Sequence, residues 1–482
     1  MKIPETGAAR ESVLSKLSTY RQNDIDWRSG RTFAYIFDAG REAESVCKEA
    51  YMSFLSENAL DPTVYPSLMR LENELVGMAA HHLGGNENTV GTFTSGGTES
   101  IILAVKATRD RARKLHPEIK KPQIVIPVTA HAAFHKAAHY LDLEVVLVDV
   151  DPETFRAIPE AVAKAITDQT ILIVGSAPSY AHGVIDPIEE LGRIALEKKV
   201  AFHVDACIGG FLLPYFRRLG DDVPPFELNV PGVTSISMDF HKYAYAAKGA
   251  SVVLYNDPSF RQAQFFTCAD WTGYTLINAS IQSTKSGGPL AGAWAVLNYL
   301  GDEGYLEIAR GLQSATRELV AGIEGIEGLK ILGNPSMSLL AIGSDSVNLF
   351  HVVDEMKLRG WYVQAQLSYG KYPTNIHLSV HPGNVSGVKD FLIAFRDSVE
   401  AARKLPSRVL LDQLGPMLSE LPKQLDTLGP EGFAALTSAV GAEGMKLPER
   451  MAGINELLDA LPPAARGKLM TAFLDQMFQS EF

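Results

Sequence analysis

The sequence predicts an α/β protein built on a mostly parallel β-sheet with helices on both faces. Three observations predict it. Short continuous apolar runs rich in valine and isoleucine recur along the chain: "QIVIPV" (Gln123–Val128), "EVVLVDV" (Glu144–Val150), "TILIVGS" (Thr170–Ser176) and "VAFHVDA" (Val200–Ala206). Helix-like segments separate them, and uninterrupted β-branched runs alternating with helices mark strands buried on both faces. The chain is also long enough, at 482 residues and 46% hydrophobic, for a large core and two to three folding units.

In chain order, Ala43–Leu60 reads as a helix. "DPTVYPS" reads as an extended crossing segment, because each proline pushes its predecessor out of the α region. Leu68–His82 is helical again, and the alternating strands and helices follow. "TSISMDF" and "ASVVLY" read as two further strands, adjacent and antiparallel. Beyond Gly325 the strands shorten to "SLLAIGS" and "NIHLSVH", flanking the helix "VVDEMKLRGW", as in a smaller α+β domain. After Leu405 the chain is helical and punctuated by Leu and Pro. The expected segments are residues 1–85 (arm and helices), 86–325 (large α/β domain), 326–405 (small domain) and 406–482 (helical extension).

Net charge is −12 and the pI about 5.5, so phosphodiester backbones and anionic lipid surfaces are disfavoured and nucleic acid is not an expected partner. Three scattered cysteines, Cys47, Cys207 and Cys268, make no disulfide framework and fit a reducing cytoplasm. No signal peptide and no eighteen-residue apolar run is present, so no membrane span is expected.

Four local patterns carry chemistry. "TSGGTES" puts Gly96 and Gly97 ahead of Thr98 at the start of a helix. There, backbone amides and helix polarity favour an anion; a plain turn capped by Thr98 is the alternative. Asp205 ends an apolar strand, where α/β sheets present ligands, and Gly209 and Gly210 after it suggest a bulky neighbour close to the backbone. His131 also follows a strand end. His135 and His139 share its helical spacing but read as solvent-facing, and no metal is implied. Lys242 follows His241 at another strand end, where burial and neighbouring positive charge would lower its amine toward nucleophilicity. One cofactor uses all four. Pyridoxal phosphate requires a lysine that carries it, an acidic partner for its ring nitrogen, a phosphate cradle and a stacking group.

Together "GTFTSGGTESIILAVKATRDRAR", "PVTAHAAFHKAAHY", "GSAPSYAHGVIDPI", "FHVDACIGGF" and "GVTSISMDFHKYAYAAKGASVVLY" resemble the sphingosine phosphate lyases. These are fold-type-I pyridoxal phosphate enzymes related to the group II amino acid decarboxylases. The resemblance, to a soluble member of bacterial type, runs from about Trp27 to about Arg403 and touches the tail at "FLDQMFQSEF". It implies a seven-stranded sheet, pyridoxal 5'-phosphate and a homodimer with shared active sites. It implies Lys242 as the cofactor lysine, Asp205 as the ring-nitrogen partner and His131 as the stacking group. Gly96, Gly97, Thr98, Ser176 and His241 then line the cofactor, with Thr284 and Gly287 of "STKSGG" reaching the partner subunit's phosphate. Tyr180 joins the catalytic set, and Phe37, Asp61, His182 and Lys248 form the substrate end.

The implied reaction is a retro-aldol cleavage of the C2–C3 bond of a 2-amino-3-hydroxy compound. Its substrate is a phosphorylated long-chain base, or a relative with an altered head group, and its products are an aldehyde and an amine such as phosphoethanolamine. Two positions depart from the family pattern. Asp61 of "NALDPTVYP" stands where a histidine belongs, and Phe37 where a tyrosine belongs. A carboxylate ~5 Å from a phosphate oxygen at effective dielectric near 20 costs roughly 3 kcal/mol per charge pair, so Asp61 favours a non-anionic head group and would pair with Lys248. Two other readings stand beside this one: an amino acid decarboxylase on the same scaffold, and a catalytically silent scaffold protein. Retention of Lys242, Asp205, His131 and Thr98 together speaks against the last.

Overall fold

The computed structural model describes residues 2–407, 409, 411–412 and 448–478. Its centre is a seven-stranded sheet of β1 (Val90–Thr94), β2 (Gln123–Pro127), β3 (Glu144–Val148), β4 (Thr170–Ser176), β5 (Ala201–Asp205), β6 (Ser235–Asp239) and β7 (Ser251–Tyr255). The strand order is β1-β7-β6-β5-β4-β2-β3. From β3 to β6 the pairing is parallel, and β7 runs antiparallel to both β1 and β6. The apolar runs form the expected strands, and the two strands expected to be adjacent and antiparallel are β6 and β7. An additional strand, β1, precedes the glycine turn.

The chain groups into two units that differ from the four segments expected from sequence. One comprises Phe33–Ile342 and His377–Val388; the other comprises Met1–Thr32, Gly343–Ile376 and Lys389–Phe482. Residues 33–85 join the large unit because their helices pack onto it. The helix Arg41–Ser53 runs along the helix Gly287–Glu324, where a Cβ at Gly288 would lie 2.8 Å from the Tyr51 ring and one at Gly292 3.1 Å from Cys47 Sγ. The helix Pro66–His82 packs on β1. The first of these helices ends at Ser53, not Leu60, because Asn58 and Ala59 bridge instead to Ser286 and Lys285. "DPTVYPS" is likewise a turn, not an extended segment, closed by the Val64 amide donating to the Asp61 carbonyl.

In the other unit the helix Leu349–Leu358 receives the C-terminal segment. Asp354 accepts hydrogen bonds from the Met451 and Ala452 amides at the start of the helix Ala452–Ala460, and Glu355 pairs with Arg450 at 2.6 Å. The described part of the expected extension includes two helices, Ala452–Ala460 and Pro463–Met477; residues 408, 410, 413–447 and 479–482 lie outside the described residues. Among the described residues no helix is long and apolar enough to cross a membrane.

Candidate active site

Strand register builds the site. Paired residues on neighbouring strands point to the same face, and side chains alternate with period two. Ser235 pairs with His203 and Ser237 with Asp205, so His203, Asp205, Ser235, Ser237 and Asp239 share one face. The inner part of that polar stripe is satisfied internally. His203 meets Ser235 Oγ at 2.8 Å and Ser237 Oγ at 3.1 Å through its two ring nitrogens, and Cys207 Sγ donates to Ser237 Oγ at 3.1 Å. Burial lowers the His203 imidazole to about 4, which keeps it neutral.

Above the carboxyl ends of these strands lies a cavity of about 480 Å³. Gly96, Gly97, Thr98, His131, Ser176, Tyr180, Asp205, His241, Lys242 and Lys248 all line it. Ten residues expected from the sequence therefore converge. The helix Gly97–Leu115 opens onto the cavity with no side chain capping its first amides. Glu99 reaches back instead, accepting from the Ser95 amide at 2.6 Å and the Ile281 amide at 2.7 Å. Asp205 is almost fully buried and accepts from the Cys207 amide at 3.1 Å. His131 is exposed, its Nδ1 accepting from the Ala133 amide at 3.2 Å, which leaves its ring face open. Tyr180 stacks on the buried His377, with ring centroids 4.3 Å apart.

Lys242 donates to Asp239 Oδ2 at 2.8 Å, and His241 Nε2 lies 3.6 Å from the same oxygen. The sequence suggested a lowered Lys242 amine. Burial pushes it down, but Asp239, with Cys207 and Asp205 behind it, outweighs burial and the net shift is upward. Burial pushes Asp239 up in turn, while Lys242 and His241 hold it below the usual carboxylate range. Burial lowers His241 as well. Lys248 meets the His241 carbonyl at 3.2 Å and the Tyr35 carbonyl at 3.5 Å, and its amine sits 5.0 Å above the Phe37 ring. Phe37 thus adjoins the site through Lys248, braced edge-on against Tyr243 at 5.0 Å.

Four expected residues do not line this chain's own cavity, two of them, Thr284 and Gly287, having been expected at a partner subunit's phosphate. His182 is buried in a stack on Phe155, centroids 4.0 Å apart, with neither ring nitrogen hydrogen-bonded; burial lowers it to about 4. Asp61 lines a different cavity, where it accepts from the Thr63 amide at 2.8 Å and the Thr63 hydroxyl at 2.6 Å, and within one chain it does not pair with Lys248. Thr284 is exposed. Gly287 is buried against its own chain, where a Cβ would stand 3.0 Å from Leu68 and from the Phe54 carbonyl. The neighbouring cation, Lys285, is consumed by Glu72 at 2.5 Å. Gly209 and Gly210 accommodate protein, not ligand: a Cβ at Gly209 would fall 2.3 Å from Pro178 and one at Gly210 2.8 Å from the Ala206 carbonyl. The sequence reading missed Asp239, Glu99 and Cys207 as lining residues.

The donor set fits pyridoxal phosphate. Uncapped amides and Thr98 at a helix start suit its phosphate, a lysine stands across the cavity, and a strand-end carboxylate and an exposed imidazole face complete the set. A Cβ at Gly97 would meet Cys207 Sγ at 2.8 Å and both Asp239 oxygens at 3.0 Å, so the cradle depends on glycine there.

Residues 5–342 match the pyridoxal-dependent decarboxylase conserved domain, and residues 411–476 match the C-terminal putative HTH domain of pyridoxal-dependent enzymes. The chain is 38% identical to a sphingosine-1-phosphate lyase of Arabidopsis thaliana over 464 residues, covering 95% of this chain and 79% of that one. Among solved structures it resembles a Burkholderia pseudomallei sphingosine-1-phosphate lyase, with TM-score 0.80, 36% identity and coverage of 86% and 96%. A Lactobacillus brevis glutamate decarboxylase, at TM-score 0.73 and 22% identity over 84% of this chain and 96% of that one, shares the fold.

Proposed function

We propose, from the premise that this chain belongs to the sphingosine-1-phosphate lyase family of pyridoxal-dependent enzymes, that it cleaves the C2–C3 bond of a phosphorylated long-chain 2-amino-3-hydroxy base. The products are a long-chain aldehyde and phosphoethanolamine. The cofactor is pyridoxal 5'-phosphate. The observation that carries the reading is Lys248. At the edge of the cavity that holds Lys242, its amine meets only carbonyl oxygens and the Phe37 ring among the described residues. That leaves an unneutralised cation for an anionic head group. Asp61, held by Thr63 in another cavity, does not neutralise it within the chain.

Pyridoxal phosphate, when bound, supplies the electron sink for the pair released from the breaking carbon–carbon bond. The amides of Gly96 and Gly97 and the Thr98 hydroxyl would hold its phosphate, Asp205 its protonated ring nitrogen, and His131 its flat face. Lys242 would carry it. Tyr180, on the cavity wall, would assist proton transfer from the substrate hydroxyl. Phe37 and Lys248 orient the head group, which decides which bond stands across the electron sink.

The reading includes a homodimer and a cytoplasmic setting. Phe266, Trp271, Tyr274, Ile277 and Ile281 are exposed large apolar side chains in the segment leading to Thr284–Gly288, which supports a face covered by a second copy. Three free cysteines support a reducing compartment. The test is incubation of the purified enzyme with a phosphorylated long-chain base, its unphosphorylated form and a panel of amino acids. Long-chain aldehyde and phosphoethanolamine from the first support the reading; carbon dioxide from an amino acid, with no aldehyde, refutes it.

A further inference from the structure

We propose that Asp239 is the positioning residue of Lys242: its buried carboxylate fixes the lysine nitrogen in the cavity and holds a proton on it, both in the free ammonium and when that nitrogen carries the cofactor. The inference rests on the reading of Lys242 as the cofactor lysine.

Geometry supplies the argument. β5 ends at Asp205, opposite Ser237, while β6 runs two residues further, so Asp239 overhangs the floor on the cavity face. The turn that follows places Lys242 three residues on and brings its Nζ to 2.8 Å from Asp239 Oδ2. The carboxylate is 2% exposed and its Oδ1 has no hydrogen-bond partner, so Lys242 is its principal counter-charge. Gly97 leaves the space on its other side, since a Cβ there would press on both oxygens. The other strand-end carboxylate, Asp205, makes no ion pair with Lys242 and accepts from the Cys207 amide. Together the two strand ends present two carboxylates with separate tasks.

The groups that face this pair are few. His241 approaches Asp239 Oδ2 at 3.6 Å from the same turn, Asp205 and Cys207 face it from the end of β5, and Lys248 comes from the turn before β7. Lys248 and a protonated His241 oppose charge on Lys242, whereas Asp205 favours it at longer range. Asp239 is the member of the set in direct contact. Once a substrate amine has displaced it from the cofactor, the Lys242 nitrogen would be a free amine beside the Asp239 carboxylate. Asp239 then retains that nitrogen within reach for the return step, and any further proton it collects makes an ion pair with no loose charge.

The test uses the holoenzyme and its Asp239→Asn variant, following the absorbance of the bound cofactor against pH. An opposite charge this close shifts a titration by about one to three pH units, so the variant's midpoint is expected about two pH units below that of the wild type. The alkaline limb of kcat/KM should move with it. Coincident midpoints overturn the proposal. Should the variant fail to fold, the wild-type titration decides alone. A midpoint below about pH 7 overturns the proposal, because a nitrogen held by a carboxylate stays protonated through neutrality, and a midpoint above it supports the proposal. Absence of any cofactor band from the wild type refutes the assignment of Lys242 itself, a different result from a band that titrates alike in both proteins.

Discussion

Replacing Lys248 by methionine should convert an enzyme that prefers a phosphorylated substrate into one nearly indifferent to the phosphate. The Lys248 residue is open to the cavity, but its ammonium head is crowded against two carbonyls and the Phe37 ring. Burial of the head, then repulsion from Lys242, lowers the amine to about 8, with Asp239 opposing. A charge pair ~4 Å apart at an effective dielectric of ~40, between the water and near-surface limits, is worth ~2 kcal/mol, or about thirtyfold in kcat/KM. That preference depends on pH with a definite sign. A lysine lowered to about 8 is roughly nine-tenths charged at pH 7 and one-tenth charged at pH 9, so its contribution falls as pH rises. The assay is the ratio of kcat/KM for the phosphorylated base to that for its unphosphorylated form, measured from pH 6.5 to 9.5. Because kcat/KM reports the free enzyme, and the ratio cancels groups common to both substrates, the remaining fall belongs to Lys248. It should reach about fifteenfold in the wild type, vanish in Lys248→Met, and vanish in Lys248→Arg with the preference retained, since a guanidinium stays charged throughout. A ratio flat with pH in the wild type, or a fall that survives in Lys248→Arg, refutes the assignment.

Two further outcomes follow from contacts on the same unit. Gly97→Ala should lower stability by about 1–3 kcal/mol through overpacking against Cys207 and Asp239, and should weaken cofactor retention, checked by thermal unfolding and by equilibrium dialysis of the cofactor. Wild-type retention in that variant would contradict the cradle. His182→Phe should stabilise the protein increasingly as pH falls. His182, lowered to about 4 by burial, stays neutral in the fold while its unfolded counterpart protonates below about 6.5. Wild-type stability is therefore lost between those two values, and at pH 4.5 the variant should gain about 2–3 kcal/mol relative to its effect at pH 7, read by urea unfolding. A difference that does not change with pH would place a hydrogen-bond partner on that ring.

Much of the site was legible because strand ends are legible. An apolar run announces a buried strand, and the polar residue that closes it faces the carboxyl edge where ligands bind. Asp205 follows that rule, and His131 and Lys242 lie in the turns four and three residues past the ends of β2 and β6. The residues misplaced from sequence sit where the rule has no purchase. His182 lies six residues beyond the end of β4, in a loop where either ring face could turn inward, and only the Phe155 ring beneath it fixes the outcome. Gly209 and Gly210 look like ligand clearance in sequence, yet the backbone that approaches them is the chain's own. Lys285, between Thr284 and Gly287, is neutralised by Glu72, more than two hundred residues away.

Asp239 is the instructive omission, because its signal was present. "SISMD" alternates polar and apolar residues, as does "FHVD", and such alternation inside strands otherwise buried on both faces needs an explanation. Buried hydroxyls, an imidazole and a carboxylate on one face have to satisfy one another or a ligand. The His203–Ser235–Ser237–Cys207 chain consumes the inner part of that stripe, and what remains at the overhanging end is one carboxylate with one lysine. A lysine adjacent to a histidine suggests an amine made nucleophilic by losing its proton. The register shows instead an amine given a counter-ion. Its reactivity then depends less on a lowered affinity for protons than on when the substrate or cofactor draws the proton away.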